Sequence, residues 1–179
     1  ILQGPDFPQV SSSIEQFLIK KNIPIKAAKI CTNKFRMKKF LRKVGIPVPN
    51  FQLLKKNDKK KIIFKFPVVI KPLDRSGSRG VLLCENLKNF HVLKKKSSSQ
   101  TNKNYLLIEE YLDGPQISTE TFILNNKIFT PGYVDRNYEM LNKTKPQILE
   151  NGGTYPSKHF EYYNQINSYI KIIAQKLKI

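Results

Sequence analysis

Short apolar runs, separated by polar turns, are the main pattern of the chain and predict several β-strands. Val68–Ile70 is a β-branched run that predicts a buried strand. A second run, Val81–Leu83, follows a segment rich in glycine and serine, so the two runs predict a β-hairpin. Alternation of apolar and polar residues at 116–124 predicts a half-buried antiparallel strand. Further strands are expected at residues 48–54, 105–112 and 128–134.

Apolar residues at helical spacing predict helices between these strands. The best-delimited helix begins after Asn33, whose side chain suits a helix N-cap, and ends at Gly45, where a positive φ is tolerated. Other helices are expected at residues 27–31, 87–96 and 160–177, and one through residues 14–18 that ends near residue 22. A tight turn is expected at 125–126, and residues 135–157 are expected to be irregular, with their clearest turn at 151–153. The mixture predicts an α/β (α+β) fold.

Composition is that of an ordinary globular protein. The chain has 179 residues, of which 40% are hydrophobic and 25% charged, so it is long enough to bury a core. No apolar run approaches the roughly 18–20 residues that span a bilayer, and no signal peptide is visible. Because the sequence lacks an initiator Met and stops in mid-pattern, a fragment open at both ends is expected. The short apolar runs predict no membrane partner.

Two cysteines, Cys31 and Cys84, lie inside predicted elements and lack C-x-x-C spacing. Free, buried thiols are therefore expected rather than a disulfide or a metal site. This cysteine usage favours a reducing, cytoplasmic compartment.

The charge is strongly basic, with a formal net charge of +19 from 32 Lys and Arg against 13 Asp and Glu. A basic nucleic-acid or polyanion-binding module is one interpretation. The excess is mostly lysine, concentrated at 55–61 and 94–96 without interleaved aromatic residues, which favours a solvated surface. Salt-sensitive, non-specific affinity for polyanions is expected, but no specific nucleic-acid partner.

The turn between the two runs of the predicted hairpin carries the candidate chemistry. Glycines here can take positive φ and bring backbone N–H groups close to an anion, serines add hydroxyl donors, and a lysine adds a point charge at the root. These residues are Lys71, Ser76, Gly77, Ser78 and Gly80. The turn suits a polyphosphate, although an ordinary basic glycine hairpin would have the same pattern. Neither a Walker A loop nor Gly-x-Gly-x-x-Gly occurs.

Three stretches, taken in order, resemble one family. Asn33–Pro49 contains a helix followed by Gly-Ile-Pro-Val-Pro, Phe66–Val81 contains the lysine and the glycine-rich turn, and Leu107–Gly114 is an apolar strand ending in two carboxylates. Their order and content resemble the ATP-grasp superfamily of carboxylate–amine and carboxylate–thiol ligases. The resemblance covers nearly the whole chain and implies an incomplete ATP-grasp fold, preceded by the tail of another α/β domain.

The resemblance assigns a role to each candidate residue. Lys34 and Lys71 would grip the ATP phosphates from opposite domains, and the turn from Ser76 to Gly80 would close over them. Backbone groups of Glu109 and Leu112 would pair with the adenine edge, the Glu110 side chain would assist, and Tyr111 belongs to the same hinge. Gln116 stands where many relatives have a ribose-binding acid, so one charge is missing. Glu120 lies on the same strand, either at the site or on the surface.

The resemblance also implies a reaction and a domain plan. ATP would phosphorylate a small carboxylate substrate, and an amine acceptor would attack the acyl phosphate. The Mg²⁺ ligands are expected beyond residue 179, so no metal site and no turnover are expected in this chain alone. The plan is 1–26, the end of the preceding domain; 27–63, linking helices and a first strand; 64–112, the lid subdomain; and 113–179, the start of the C-terminal subdomain. A non-catalytic relic that binds nucleotide remains an alternative.

Overall fold

The computed structural model describes Ser13 and residues 23–58, 62–124 and 127–179. The helix expected at 14–18 and the turn expected at 125–126 lie outside the described residues. The chain divides into two compact units, one from the described parts of 1–47, 117–135 and 154–179, the other from those of 48–116 and 136–153. Below they are called the helical unit and the lid unit.

Helices and strands follow the predicted order closely. The helices are α1 (Ile25–Cys31), α2 (Lys34–Lys43), α3 (Leu87–Ser98), α4 (Leu141–Thr144) and α5 (Tyr163–Leu177), and a 3₁₀ turn spans Phe160–Tyr162. The strands are β1 (Phe51–Lys55), β2 (Val68–Pro72), β3 (Leu82–Cys84), β4 (Tyr105–Glu110), β5 (Gln116–Leu124), β6 (Lys127–Asn137) and β7 (Gly152–Thr154). None of the described helices is both long and apolar enough to cross a bilayer.

The lid unit is built on a four-stranded antiparallel sheet in the order β1-β4-β2-β3. Because side chains alternate between the two faces of a strand, one face supplies the core that packs with α3. This core consists of Leu54, Val68, Ile70, Leu82, Cys84, Phe90, Leu93, Leu106 and Ile108. The intervening positions of β2 and β4, including Lys71 and Glu109, belong to the opposite face of the sheet.

The β3 edge of this sheet is covered by the segment that follows α4. The Leu83 amide donates to the Pro146 carbonyl over 2.7 Å, and Leu82 forms an isolated bridge with Gln147. A 2.8 Å ion pair between Lys145 and Glu85 lies beside these contacts. The segment thus occupies backbone groups that an edge strand would otherwise present to another chain.

The helical unit shows the predicted capping of α2. The Asn33 side chain accepts a 3.0 Å hydrogen bond from the Arg36 amide, and Gly45, just after the helix, has φ +81°. In the second sheet, of order β5-β6-β7, a hydrogen-bonded chain of Thr121, Thr130 and Asn167 links β5 and β6 to α5 at 3.1 and 2.7 Å. These contacts are side-chain bonds between distant segments, so they fix how α5 lies on the sheet.

Three expectations are wrong. The expected turn at 151–153 becomes the start of β7, because the Asn151 amide bonds the Asn137 carbonyl at 3.0 Å and aligns the glycines with β6. The expected irregular segment also contains the short helix α4. Cys84 is buried as expected, but Cys31, the last residue of α1, is exposed.

Asp135 generates a prediction on acid stability. Hydrogen bonds from the Ser157 hydroxyl and, at 3.0 Å, from the Lys158 amide hold the pKa of this carboxyl below its ordinary value. A carboxyl group whose pKa is lower in the folded state than in the unfolded state stabilises the fold at pH values above its unfolded-state pKa. This stabilisation is lost as the pH falls through the folded-state pKa. We expect Asp135→Asn to lower the thermal unfolding midpoint at pH 7, and the difference from the parent to shrink as the pH falls below about 4 and to vanish only below the depressed folded-state pKa.

The matched control is Asp113→Asn, at an exposed position between β4 and β5. It should leave the unfolding midpoint unchanged at every pH. An Asp135→Asn deficit that stays constant from pH 7 to pH 3 would contradict the role given to the carboxylate charge.

Candidate functional site

An ion pair links β2 to β4 on the sheet face opposite α3. The Lys71 ammonium lies 2.7 Å from Glu109 Oε2, and the Lys71 and Glu109 side chains are 25% and 3% exposed. In the strand register Lys71 faces Leu107, so Glu109 is its diagonal neighbour two residues further along β4. The pair therefore holds a partly exposed cation next to a buried carboxylate.

Glu110, the next residue, has a different partner. Its Oε2 accepts hydrogen bonds from the Asn50 amide at 3.2 Å and from Asn50 Nδ2 at 3.0 Å. Its own amide bonds the Asn50 carbonyl at 2.9 Å, and the Tyr111 amide bonds the Pro67 carbonyl at 3.3 Å. These contacts fix the end of β4 between the neighbouring chain segments.

Leu112 lies just past this end. Its side chain is 58% exposed, and within the described residues no hydrogen bond involves its backbone. The residue thus offers an N–H and a C=O to a ligand at the end of β4. The predicted hinge therefore contains one fixed part, Glu110–Tyr111, and one accessible part.

The predicted glycine-rich turn is anchored at one end to the segment that follows α3 and at the other end to the last turn of α3 itself. At its start, Thr101 Oγ1 donates to Asp74 Oδ1 over 2.7 Å, and Arg75 Nε donates to the Gln100 carbonyl over 2.5 Å. At its end, the buried Ser97 hydroxyl donates to the Gly80 carbonyl over 2.7 Å. The base of the turn is therefore a packed structure.

The exposed tip of the turn consists of residues 76–79. Gly77 and Ser78 have φ values of +59° and +55°, and the Val81 amide bonds the Ser78 carbonyl at 3.0 Å. Arg79 reaches back to Ser76, with 3.1 Å from Nη2 to Oγ and 3.2 Å from Nε to the carbonyl. The exposed tip thus combines two consecutive residues of positive φ with a guanidinium held against Ser76, groups of the kind that bind anions.

The ion pair lies between the glycine-rich turn and the end of β4. Because β2 and β4 are antiparallel, the turn follows Pro72 at one end of β2, and Tyr111 bonds to Pro67 just before the other end. The four residue steps from Val68 to Pro72 span roughly 13 Å. The end of β4, the partly exposed ammonium of Lys71 and the glycine-rich turn therefore follow one another along this face of the sheet.

Other predicted residues lie elsewhere in the chain. Lys34 is the half-buried first residue of α2, in the helical unit. Gln116 is exposed at the start of β5, and Glu120 is exposed further along that strand. The structure thus brings together Lys71, Glu109 and the turn within the lid unit.

Sequence reasoning missed the side-chain role of Glu109 and the anchors of the turn. Glu109 was predicted to act through its backbone, whereas its side chain pairs with Lys71. Ser97, Thr101 and Asp74 carried no signal, because each pairs with a residue 17 or 27 positions away. Within the described residues, no group of three or more His, Cys, Asp or Glu could hold a metal ion.

The fold and this site define an α+β protein of the ATP-grasp class. A family model described as ATP-grasp domain matches residues 31–178, and the chain belongs to this family. It is 25% identical over 129 residues to the carbamoyl-phosphate synthase of Methanobrevibacter smithii, covering 69% of this chain and 34% of that protein. It is 35% identical over 131 residues to the D-alanine–D-alanine ligase of Pelagibacter ubique, covering 64% and 40%.

Solved structures agree on the fold. The L-amino acid ligase of Bacillus licheniformis aligns with a TM-score of 0.73 at 19% identity, covering 96% of this chain and 40% of that one. The predicted ATP-grasp fold is therefore confirmed. The chain spans about a third to two fifths of the length of the curated relatives described above.

Gly80 gives a stability prediction for the turn. A Cβ here would lie 2.8 Å from Pro72 Cγ and 2.9 Å from Gln100 Cβ, at φ +73°. We expect Gly80→Ala to lower the free energy of unfolding by about 2 kcal/mol or more, from backbone strain and overpacking together. Urea unfolding of the purified chain measures the change.

Gly77→Ala is the matched control, because Gly77 also has positive φ but open space around a Cβ. Only the strain remains there, at about 1 kcal/mol. Equal losses in the two variants would show that the base of the turn is not packed against Pro72 and Gln100.

Proposed function

We propose that the chain binds ATP along the sheet face that carries Lys71 and Glu109, as the nucleotide-binding part of an ATP-dependent carboxylate–amine ligase. The observation that carries the proposal is the 2.7 Å Lys71–Glu109 pair, which holds an ammonium between the glycine-rich turn and the end of β4. Membership of the ATP-grasp family supports ATP as the nucleotide. The proteins named as relatives support the ligase class.

Each part of the face has a role in this proposal. The Leu112 backbone receives the adenine edge, where Glu109 and Tyr111 add backbone and packing contacts and Glu110 holds the strand end through Asn50. Gln116 bonds the ribose hydroxyls as a neutral amide. Lys71 binds the phosphates, and Ser76, Gly77, Ser78 and Gly80 supply turn donors.

The proposed chemistry depends on positioning and charge neutralisation. Phosphoryl transfer from ATP to a carboxylate spreads negative charge over the transferred group, and fixed cations and backbone donors stabilise that charge. An amine acceptor then attacks the acyl phosphate, from which water must be excluded. In this chain Lys71 supplies the fixed charge, and Glu109 keeps it oriented before the nucleotide arrives.

Mg²⁺ belongs to the proposal for the whole protein only. The described residues contain no group of acidic or histidine side chains that fits a metal, so no step is assigned to one here. The carboxylate substrate and the amine acceptor are small molecules in this proposal, and the compartment is the cytoplasm.

Replacing Lys71 tests nucleotide binding. We expect Lys71→Met to weaken ATP binding at least roughly tenfold, because a charge-assisted hydrogen bond contributes about 1.5–3 kcal/mol. The measurement is calorimetric titration with ATP at low and high KCl, with folding checked by circular dichroism. Lys88→Met, at an exposed position of α3, is the charge-matched control and should bind as the parent does.

The outcome separates the proposal from the polyanion interpretation. Equal losses in Lys71→Met and Lys88→Met, or ATP affinity that disappears with added salt in the parent chain, would indicate a diffuse basic surface. If Lys71→Met is folded and binds ATP as tightly as the parent chain, the Lys71–Glu109 ion pair is not part of the ATP site.

Catalysis is tested on the full-length protein. We expect ADP release that depends on both a carboxylate and an amine, followed with a coupled assay. ATP binding without acceptor-dependent ADP release under a broad set of amino-acid acceptors would instead identify a nucleotide-binding relic.

A further inference from the structure

A basic concavity lies beside α3, on the side of the lid sheet opposite Lys71. It has a volume of about 680 Å³, within the range of small-molecule pockets. Its lining includes Lys56, Asp58, His91, Lys94, Lys95 and Ser98, from the loop after β1 and from α3. It is called the α3 cavity below.

Two lysines of the α3 cavity are held in place by backbone carbonyls. Lys94 is only 5% exposed, and its ammonium donates to the Asp58 carbonyl over 2.6 Å. The Lys56 ammonium donates to the Thr101 carbonyl. Each ammonium has three donors, so each retains donors for a ligand after making its carbonyl bond. Both cations are thereby oriented before any ligand binds.

The local charge is poorly compensated. Burial lowers the pKa of Lys94, which shows that its charged form is partly desolvated, and the Asp58 carboxylate opposes that shift. In the described part of the chain, neither Lys56 nor Lys94 makes an ion pair with a carboxylate. Lys95 adds a third cation against the single carboxylate of Asp58. An entering anion would supply the missing negative charge.

Ser98 gives an independent indication of a ligand. Its hydroxyl oxygen is buried and has no hydrogen-bond partner among the described residues, although it lines the α3 cavity. A buried hydroxyl without a partner is costly, and such groups in native proteins are usually satisfied by a ligand or by water. The hydroxyl is closed to solvent in this structure, so it would turn toward the cavity to donate to an oxyanion there.

We propose that the α3 cavity is a binding site for a small oxyanion, a phosphate or carboxylate group, which is bound by Lys56, Lys94 and Ser98. The site is separate from the proposed ATP face, because α3 and Lys71 lie on opposite faces of the same sheet. Its ligand is a small molecule rather than a nucleic acid, since the basic side chains line a concavity whose described lining has no Phe, Tyr or Trp, and His91 is its one ring for stacking on bases.

The test is a titration of the 179-residue chain with inorganic phosphate at constant ionic strength, followed by NMR shifts of the lysine side chains. Saturable shifts of Lys56 and Lys94 are expected. Lys94→Met should weaken phosphate binding roughly tenfold or more, the loss expected for a charge-assisted bond. A parallel titration with sodium acetate distinguishes phosphate from carboxylate ligands.

Two further variants keep the result interpretable. Ser98→Ala removes no protein hydrogen bond, so it should fold as the parent does and still bind phosphate more weakly. Lys96→Met, an exposed position of α3 outside the cavity lining, removes the same charge and should bind as the parent does. Linear shifts without saturation, or equal weakening by Lys96→Met, would overturn the proposal. The proposal would also be overturned if a single-stranded oligonucleotide displaced phosphate from both the parent chain and Lys96→Met.

Discussion

The rest of the proposed nucleotide-binding face depends on the ion pair between Lys71 and Glu109. A carboxylate that is 3% exposed has lost most of its hydration, and the ammonium 2.7 Å away replaces part of it. The pair also joins the strand that leads into the glycine-rich turn to the strand that ends at the proposed adenine site. Removal of either partner would leave an uncompensated charge near the core, which is a large cost in partly buried surroundings.

The same contact limits how strongly Lys71 alone attracts phosphate. Its positive charge is already balanced by Glu109, so an incoming polyphosphate gains less than it would from an isolated lysine. Additional hydrogen-bond donors are therefore needed. The turn at residues 76–79, which follows the end of β2, supplies the guanidinium of Arg79 and the backbone N–H groups of two residues with positive φ. The base of that turn is held by Ser97 and Thr101, so in the proposed function only the exposed tip is left to close over the nucleotide.

Local patterns were sufficient to predict most of the elements. The Asn33 cap, the Gly45 end of α2 and the alternation in β5 depend on residues a few positions apart, and each is present in the structure. The ion pair depends instead on the register of β2 against β4, which no local pattern specifies. The glycines of β7 indicated a turn, because their pairing with β6 depends on a bond from Asn151 to Asn137.

The net charge of +19 is distributed over different environments, and this decides how it should be interpreted. A solvated lysine contributes to a diffuse field that salt screens within about 10 Å. Lys71 and Lys94 differ, because each is partly withdrawn from water and oriented by a fixed oxygen, a carboxylate in one case and a carbonyl in the other. Desolvated, oriented cations bind particular anions in particular places. Because alternate positions of a strand project to opposite faces, one sheet separates two such cations, and a high lysine content is compatible with discrete sites.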